Sequence, residues 1–201
     1  ARRVGTRGTV MKRVALTGGI ATGKSYVRAR LAARGVPTID SDTLAREAVA
    51  VGTPGLDAVV RRFGRDVLDA SGALNRHALA AIVFADAAAR RDLEAIVHPA
   101  VRRATEGWFA SLDPAAVTFA VADIPLLYEV GREGEFDVVI VTAADRETQV
   151  RRAIERDGAT EAEARQRIAA QLPIEDKVAR GDYVIRTDGT FRSEEHTSEL
   201  Q

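Results

Sequence analysis

The chain switches between two hydrophobic rhythms. Short apolar blocks at residues 13–17, 36–39, 117–122, 137–142 and 183–185 have the length and β-branched content of buried strands. The segments between them carry apolar residues at helical spacing. They predict helices over 24–34, ending at Gly35, and from a cap at Ser41 or Asp42 to about Val51, broken by Gly52-Thr53-Pro54-Gly55. Further helices are predicted over 56–63, 76–84 and 86–109, the last interrupted at His98-Pro99, and over 146–156 and 160–172. Asp69-Ala70-Ser71-Gly72 reads as a turn.

Strands this far apart cannot be joined as hairpins. The pattern therefore predicts an α/β fold with a five-stranded parallel sheet and helices on both faces. The helical stretch between the second and third strands exceeds a simple crossover and reads as an inserted substrate-binding region. The expected division is one domain over 11–191, with core segments 11–52, 115–145 and 180–191, a helical substrate region 53–114, and a helical lid over about 146–175. Residues 1–10 precede Met11, where the strand pattern begins, and are expected to be a non-native extension. The string RSEEHTSELQ at 192–201 resembles a translated sequencing adapter and is expected to be foreign.

Composition narrows the chemistry. The 29 basic and 29 acidic side chains cancel, so nothing in the balance asks for DNA or RNA as a partner. No cysteine is present, which excludes disulfides, thiolate metal sites and a cysteine nucleophile, and a cytoplasmic location is expected. No apolar run approaches the roughly 18 residues of a membrane span, so no membrane partner is expected. His77 and His98 have no partner at metal-ligand spacing and read as packing or substrate-orienting groups. Trp108 and Phe109 read as core. The lysines are Lys12, Lys24 and Lys177.

One of them sits in a motif. Gly18-Gly19-Ile20-Ala21-Thr22-Gly23-Lys24-Ser25 satisfies G-x-x-x-x-G-K-[ST], follows a predicted strand and opens a predicted helix. The glycines allow backbone N–H groups to face phosphates, and the helix N-terminus adds partial positive charge. Lys24 can reach the β- and γ-phosphates, and the Ser25 hydroxyl can ligate Mg²⁺. Tyr26 follows directly and is grouped with the nucleotide-binding residues. The motif makes the expected architecture a three-layer P-loop NTPase fold binding ATP and Mg²⁺. No N-K-x-D segment for guanine is present, which favours a small-molecule kinase over a GTPase.

Ligands of a parallel sheet gather at the carboxyl ends of its strands. Asp40, Ser41 and Asp42 lie just past the second strand, where a carboxylate can orient an acceptor hydroxyl, or equally cap a helix. Asp123 ends the third strand and can act as an outer-sphere acid for Mg²⁺, or simply close a strand. Arg146, Arg151, Arg152, Arg156, Arg165 and Arg167 crowd two helices. They can stabilise a transferring phosphoryl group or pair with Glu147, Glu155, Glu161 and Glu163 on a solvated face.

Taken in order, the residues resemble the dephospho-CoA kinases. The resemblance is carried by Leu16-Thr17 leading into the phosphate loop, Ile39-Asp40-Ser41-Asp42 with Ala45-Arg46, Phe63-Gly64 and Gly72-Ala73-Leu74-Asn75-Arg76. It continues through residues 79–84, His98-Pro99, Pro125-Leu126-Leu127-Tyr128-Glu129, Thr148-Gln149, Arg152, Arg156-Asp157 and Gln171. It implies ATP-dependent phosphorylation of the ribose 3′-hydroxyl of dephospho-CoA, the last step of coenzyme A synthesis, on an adenylate-kinase-like fold. It also implies Asp42 as catalytic base, Lys24, Arg152 and Arg156 as further catalytic groups, and Arg76, His98, Pro125 and Leu126 as substrate contacts. Ala21-Thr22 departs from the family's usual Gly-Ser, Lys177 stands where an arginine is common, and Arg186-Thr187-Asp188-Gly189 replaces an asparagine-bearing turn near the adenine. A kinase for a nucleoside or nucleotide acceptor, or a P-loop switch protein, are the alternatives.

Overall fold

The computed structural model of the protein describes residues 11–189. The terminal segments 1–10 and 192–201, expected to be extension and foreign tail, lie outside the described residues.

Five parallel strands form one sheet in the order β2-β3-β1-β4-β5, with β1 at Lys12–Gly18, β2 at Thr38–Asp40, β3 at Phe119–Asp123, β4 at Val138–Ala143 and β5 at Tyr183–Arg186. The helices are α1 Lys24–Ala33, α2 Ser41–Ala48, α3 Pro54–Phe63, α4 Arg76–Ala85, α5 Ala87–Ser111, α6 Arg146–Asp157, α7 Glu161–Ala169 and α8 Ile174–Arg180. The central strand reads as a continuous apolar run because both its faces are covered: Val14, Ala15, Leu16 and Thr17 are all buried. The register sets Leu16 beside Asp123 of β3 and Gly18 beside Thr142 of β4, so the loop after β1 starts where both neighbouring strands end.

The described residues divide into two compact units, 11–39 with 113–189, and 40–112. In the first, Val14, Leu16, Val27 and Val121 form a cluster joined by Leu31, Val36, Phe119, Val138, Ile140 and Ile185, which seats α1 on the sheet. In the second, Val49, Val59, Val67 and Leu79 are buried together with Phe63, Leu74, Val83, Leu93, Ile96 and Val97. The segment 40–52, expected with the core, therefore belongs to the helical unit. Val49, just past α2, is in that unit's apolar cluster, and Leu44 is buried on α2 itself.

Three expectations differ from the structure. The helix over 86–109 is not interrupted: α5 is continuous with Pro99 inside it. A proline removes one backbone donor and crowds the preceding turn. Here His98 and Pro99 are exposed, so water can reach the released carbonyl, while Val101, Thr105 and Phe109 anchor the buried side. Second, α2 is capped by Asp40, whose Oδ1 accepts from the Asp42 N–H at 2.9 Å, and not by Ser41 or Asp42. Third, α8 lies in a stretch with no predicted helix. It is short and carries Glu175, Asp176 and Lys177 in succession, which hides its apolar spacing. Trp108 is half-buried, and Phe109 is the core residue of that pair.

Candidate active site

The phosphate loop leaves β1 at Gly18 and enters α1 at Lys24. A Cβ on Gly18 would sit 2.2 Å from Thr142 Oγ1 and 2.6 Å from the Thr142 carbonyl oxygen, so only glycine fits against β4. Gly23 caps α1 with φ 77° and supplies no side-chain cap. A helix end left without a side-chain cap presents N–H donors and positive partial charge to an anion. Ala21 is the one non-glycine residue with positive φ, 56°, among the described residues. It occupies the left-handed region that costs an L-residue energy. Thr22 is buried and shapes the loop from inside: its hydroxyl donates to the Gly19 carbonyl oxygen at 2.9 Å and shares a hydrogen bond with Thr142 Oγ1 at 2.8 Å.

Lys24 and Asp123 are brought together: Nζ of Lys24 forms an ion pair with Oδ1 of Asp123. Arg28, one turn further along α1, places Nε 3.4 Å from the other carboxylate oxygen. Asp123 is 1% exposed, so these cations are what make a buried carboxylate tolerable. Ser25 is exposed on the first turn of α1 and Tyr26 is half-buried. Among the described residues no group of three or more His, Cys, Asp or Glu is placed to hold a metal.

The arginine-rich helices pack onto the same loop. Val150, Ala153 and Ala164 form a cluster that includes Ile154, Ile168 and the loop residues Ile20 and Ala21. Arg152 reaches across it: Nη1 donates to Thr187 Oγ1 at 3.0 Å and to the Ala21 carbonyl oxygen at 3.4 Å, and Nη2 donates to the Thr187 carbonyl oxygen. Arg156 stays outside this arrangement, paired in two hydrogen bonds of 2.7 and 2.9 Å with its neighbour Asp157. Arg165 bridges the two helices, with bonds of 3.0 and 2.9 Å to Glu147 and 2.9 Å to Glu161. Glu147 is consequently held below the ordinary glutamate range, chiefly by the hydrogen bond from Arg165. For Arg165 the solvated-pair reading holds, whereas Arg152 is at the loop.

Of the expected substrate contacts, Pro125 follows β3 by two residues, and its carbonyl oxygen accepts from Thr17 Oγ1 at 3.2 Å and Lys177 Nζ at 3.3 Å; Leu126 is exposed. In the helical unit, Asp42 is exposed on the first turn of α2, Arg76 is the exposed first residue of α4 behind its Asn75 cap, and His98 is exposed on α5.

Several groups at the loop were given no role at the site from sequence, although Gln149 and Gln171 are among the residues that carry the family resemblance. Thr187 donates from Oγ1 to the Thr22 carbonyl oxygen at 2.9 Å and packs where a Cβ on Gly23 would stand. Gln171 accepts from the Ile20 N–H at 3.2 Å. Gln149 is buried with Oε1 2.8 Å from where a Gly19 Cβ would be. Lys177 is wholly buried against the loop's first carbonyl. The available signals were weak: a scarce lysine, and polar residues in otherwise ordinary helices. No helix among the described residues is long and apolar enough to cross a membrane.

Comparison with known proteins bears on the same residues. The family model described as dephospho-CoA kinase matches residues 12–193. A dephospho-CoA kinase of Anaeromyxobacter dehalogenans is 52% identical over 179 residues, covering 89% of this chain and 85% of its own. That of Cutibacterium acnes is 53% identical over 176 residues, covering 87% and 76%. Among solved structures, TT1252 from Thermus thermophilus superposes with a TM-score of 0.81 at 34% identity, covering 92% of this chain and 93% of that one. The dephospho-CoA kinase from Campylobacter jejuni gives 0.68 at 26% identity, covering 90% of each. With a complete phosphate loop on a 2-3-1-4-5 parallel sheet and this likeness along nearly its whole described length, the chain belongs to the dephospho-CoA kinase family.

Proposed function

We propose that this protein transfers the γ-phosphoryl group of ATP to the ribose 3′-hydroxyl of dephospho-CoA, giving coenzyme A and ADP. The observation that carries this reading is the complete phosphate loop with Lys24 drawn to Asp123, in a chain of this family. Phosphoryl transfer proceeds through a loose transition state, so the protein's work is positioning and charge stabilisation. The loop amide groups hold the phosphates, and Lys24 exchanges Asp123 for the β- and γ-phosphate oxygens. Arg152, already bonded to the loop, adds positive charge beside it, and Arg156 joins if the helices carrying it close as a lid.

Asp42 orients the acceptor hydroxyl and takes its proton late in transfer. Its exposed carboxylate is not the helix cap, because Asp40 has that task, which leaves Asp42 for chemistry. Arg76, His98, Pro125 and Leu126 contact the acceptor. The Ser25 hydroxyl and Asp123 carboxylate are hard oxygen donors of the kind Mg²⁺ takes alongside water and substrate phosphates, and they would hold it. When bound, Mg²⁺ neutralises charge on the phosphate oxygens. The helical unit 40–112 receives the acceptor, and residues 146–175 act as the lid. The protein works in the cytoplasm under this reading, without a nucleic-acid or membrane partner.

The test is ATP consumption by the purified chain with dephospho-CoA, compared with nucleosides and nucleotides as acceptors. Stimulation by dephospho-CoA together with formation of coenzyme A is the expected result. Stimulation by a nucleoside or nucleotide instead would replace the acceptor. Slow hydrolysis indifferent to every acceptor would mark a switch protein.

A further inference from the structure

Lys177 is the largest wholly buried side chain among the described residues, with none of its surface exposed. Its Nζ lies 2.7 Å from Glu129 Oε1, 3.2 Å from the Gly18 carbonyl oxygen and 3.3 Å from the Pro125 carbonyl oxygen. An ammonium carries three N–H donors, and three acceptors converge on this one. Burying a charge is costly unless it is paired and hydrogen-bonded, and a Met of similar length would fill the volume without that cost. The ammonium gains a geometric result in return: it draws together three stretches of the chain, the phosphate-loop entry at Gly18, the segment 125–129 and α8 itself.

Each of those segments leads to the reaction centre. Gly18 is the first residue of the phosphate loop. Pro125 lies two residues beyond Asp123, the partner of Lys24, and its carbonyl is held from the other side by Thr17. Glu129 Oε1 also accepts the Leu172 N–H at 3.1 Å, and the adjacent Gln171 accepts the Ile20 N–H at 3.2 Å. The stretch that returns from α7 toward α8 is thus tied to the phosphate loop by Gln171 and to the Lys177 pair by Leu172.

We propose that Lys177, acting with Glu129, is a positioning residue for the nucleotide: it fixes the entry of the phosphate loop against the segment after Asp123 and the returning end of the arginine-bearing helices. The proposal rests on the reading of Gly18–Ser25 as the ATP-phosphate site. Its consequence falls chiefly on one substrate. Losing the clamp lets Gly18 and the amide groups behind it shift, which weakens phosphate contacts more than acceptor contacts, of which only Pro125 and Leu126 lie on a clamped segment. Arginine keeps the charge and presents several N–H donors on a planar fork, so it can preserve part of the clamp.

The experiment uses the full chain as Lys177→Met, Lys177→Arg and Glu129→Gln, with Lys24→Ala as reference. Binding is read by titration with a fluorescent ATP analogue, and steady-state kinetics are run with dephospho-CoA at temperatures where circular dichroism shows each variant folded. In Lys177→Met, the Kd for the analogue and the KM for ATP should rise about tenfold or more, with a smaller rise in the KM for dephospho-CoA. Lys177→Arg, which keeps the charge, should retain more nucleotide affinity than Lys177→Met. Glu129→Gln keeps shape and acceptor but loses charge, and should weaken nucleotide binding about threefold. A folded Lys177→Met with wild-type ATP affinity overturns the proposal, as does a lowered Tm with both KM values unmoved. Should Lys177→Met fail to fold, unchanged ATP affinity in Glu129→Gln overturns it. Because binding is read apart from turnover, a wild-type chain that binds ATP but ignores dephospho-CoA fails the kinase reading alone.

Discussion

Lys24 of the phosphate loop and Asp123 at the end of β3 form an ion pair across the register that joins β1 to β3. The pair holds the lysine over the carboxyl end of the sheet. Lys24→Ala should lower turnover by about 10²-fold or more, since no other group on the loop carries a charge to the phosphates. Arg28, 3.4 Å from the same carboxylate, keeps Asp123 compensated. The loss should therefore fall on kinetics more than on the melting temperature. Turnover with dephospho-CoA beside a melting curve checks both, and undiminished turnover would remove the phosphate-loop assignment.

Asp40 and Asp42 make a paired test of capping against catalysis. Asp40→Ala removes the oxygen that accepts the Asp42 N–H and should cost about 1 kcal/mol of stability. Asp42→Asn preserves shape and leaves the cap in place. It should keep the melting temperature and ATP affinity and lower kcat by about 10²-fold. Normal kcat in Asp42→Asn would move the base elsewhere, with Asp40 the first candidate.

Arg152 and Arg156 are one helical turn apart and differ in what they touch. Arg152→Ala should lower kcat at least about tenfold, equivalent to ~1.4 kcal/mol in the barrier, because its guanidinium already spans Ala21 and Thr187. Arg156→Ala should have a smaller effect in the absence of lid closure, its guanidinium being engaged by Asp157. Single-turnover rates for the two variants separate these outcomes. Equal loss in both would mean that Arg156 leaves Asp157 and joins the reaction.

The α6–α7 pair should loosen in acid. Glu147 is held below its usual 4.5 by the Arg165 hydrogen bond, Glu163 by the Thr160 amide in the capping box, and Asp157 below 3.8 by Arg156. Each carboxylate binds fewer protons folded than unfolded. Its contribution is therefore present above the unfolded value and lost as pH falls through the lowered one. Melting temperature measured from pH 6 down to the acid limit should drop below about pH 4.5, and Glu147→Gln should flatten that drop. An identical pH profile in the variant would exclude this pair as a source.

The phosphate loop was legible because its chemistry is local. Glycines, a lysine and a serine at fixed spacing between a strand and a helix name both a backbone shape and a ligand. The strand count and parallel order followed from apolar blocks too widely spaced for hairpins. Asp40 as cap was not legible, since Asp40, Ser41 and Asp42 are all competent caps, and the backbone geometry at the end of β2 chooses among them. Pro99 misled because a helix breaker counts for less when a long helix is held by tertiary burial on its other side.

By itself the sequence determined the parallel α/β architecture, the nucleotide loop and, through its ordered motifs, the family. Tertiary structure decided which cations beyond Lys24 meet that loop. Lys177, 159 residues from Gly18, looks like one more charge in a short polar helix until folding buries it against the Gly18 carbonyl. Arg152 and Arg156 sit in the same kind of helical pattern, yet the packing of α6 on Ile20 and Ala21 turns Arg152 toward the loop, while Arg156 pairs with Asp157. The physical reason is range. Periodicity and turn chemistry are set by neighbours a few residues apart, whereas a buried charge is placed by acceptors that meet only when β1, the segment after β3 and α8 pack together.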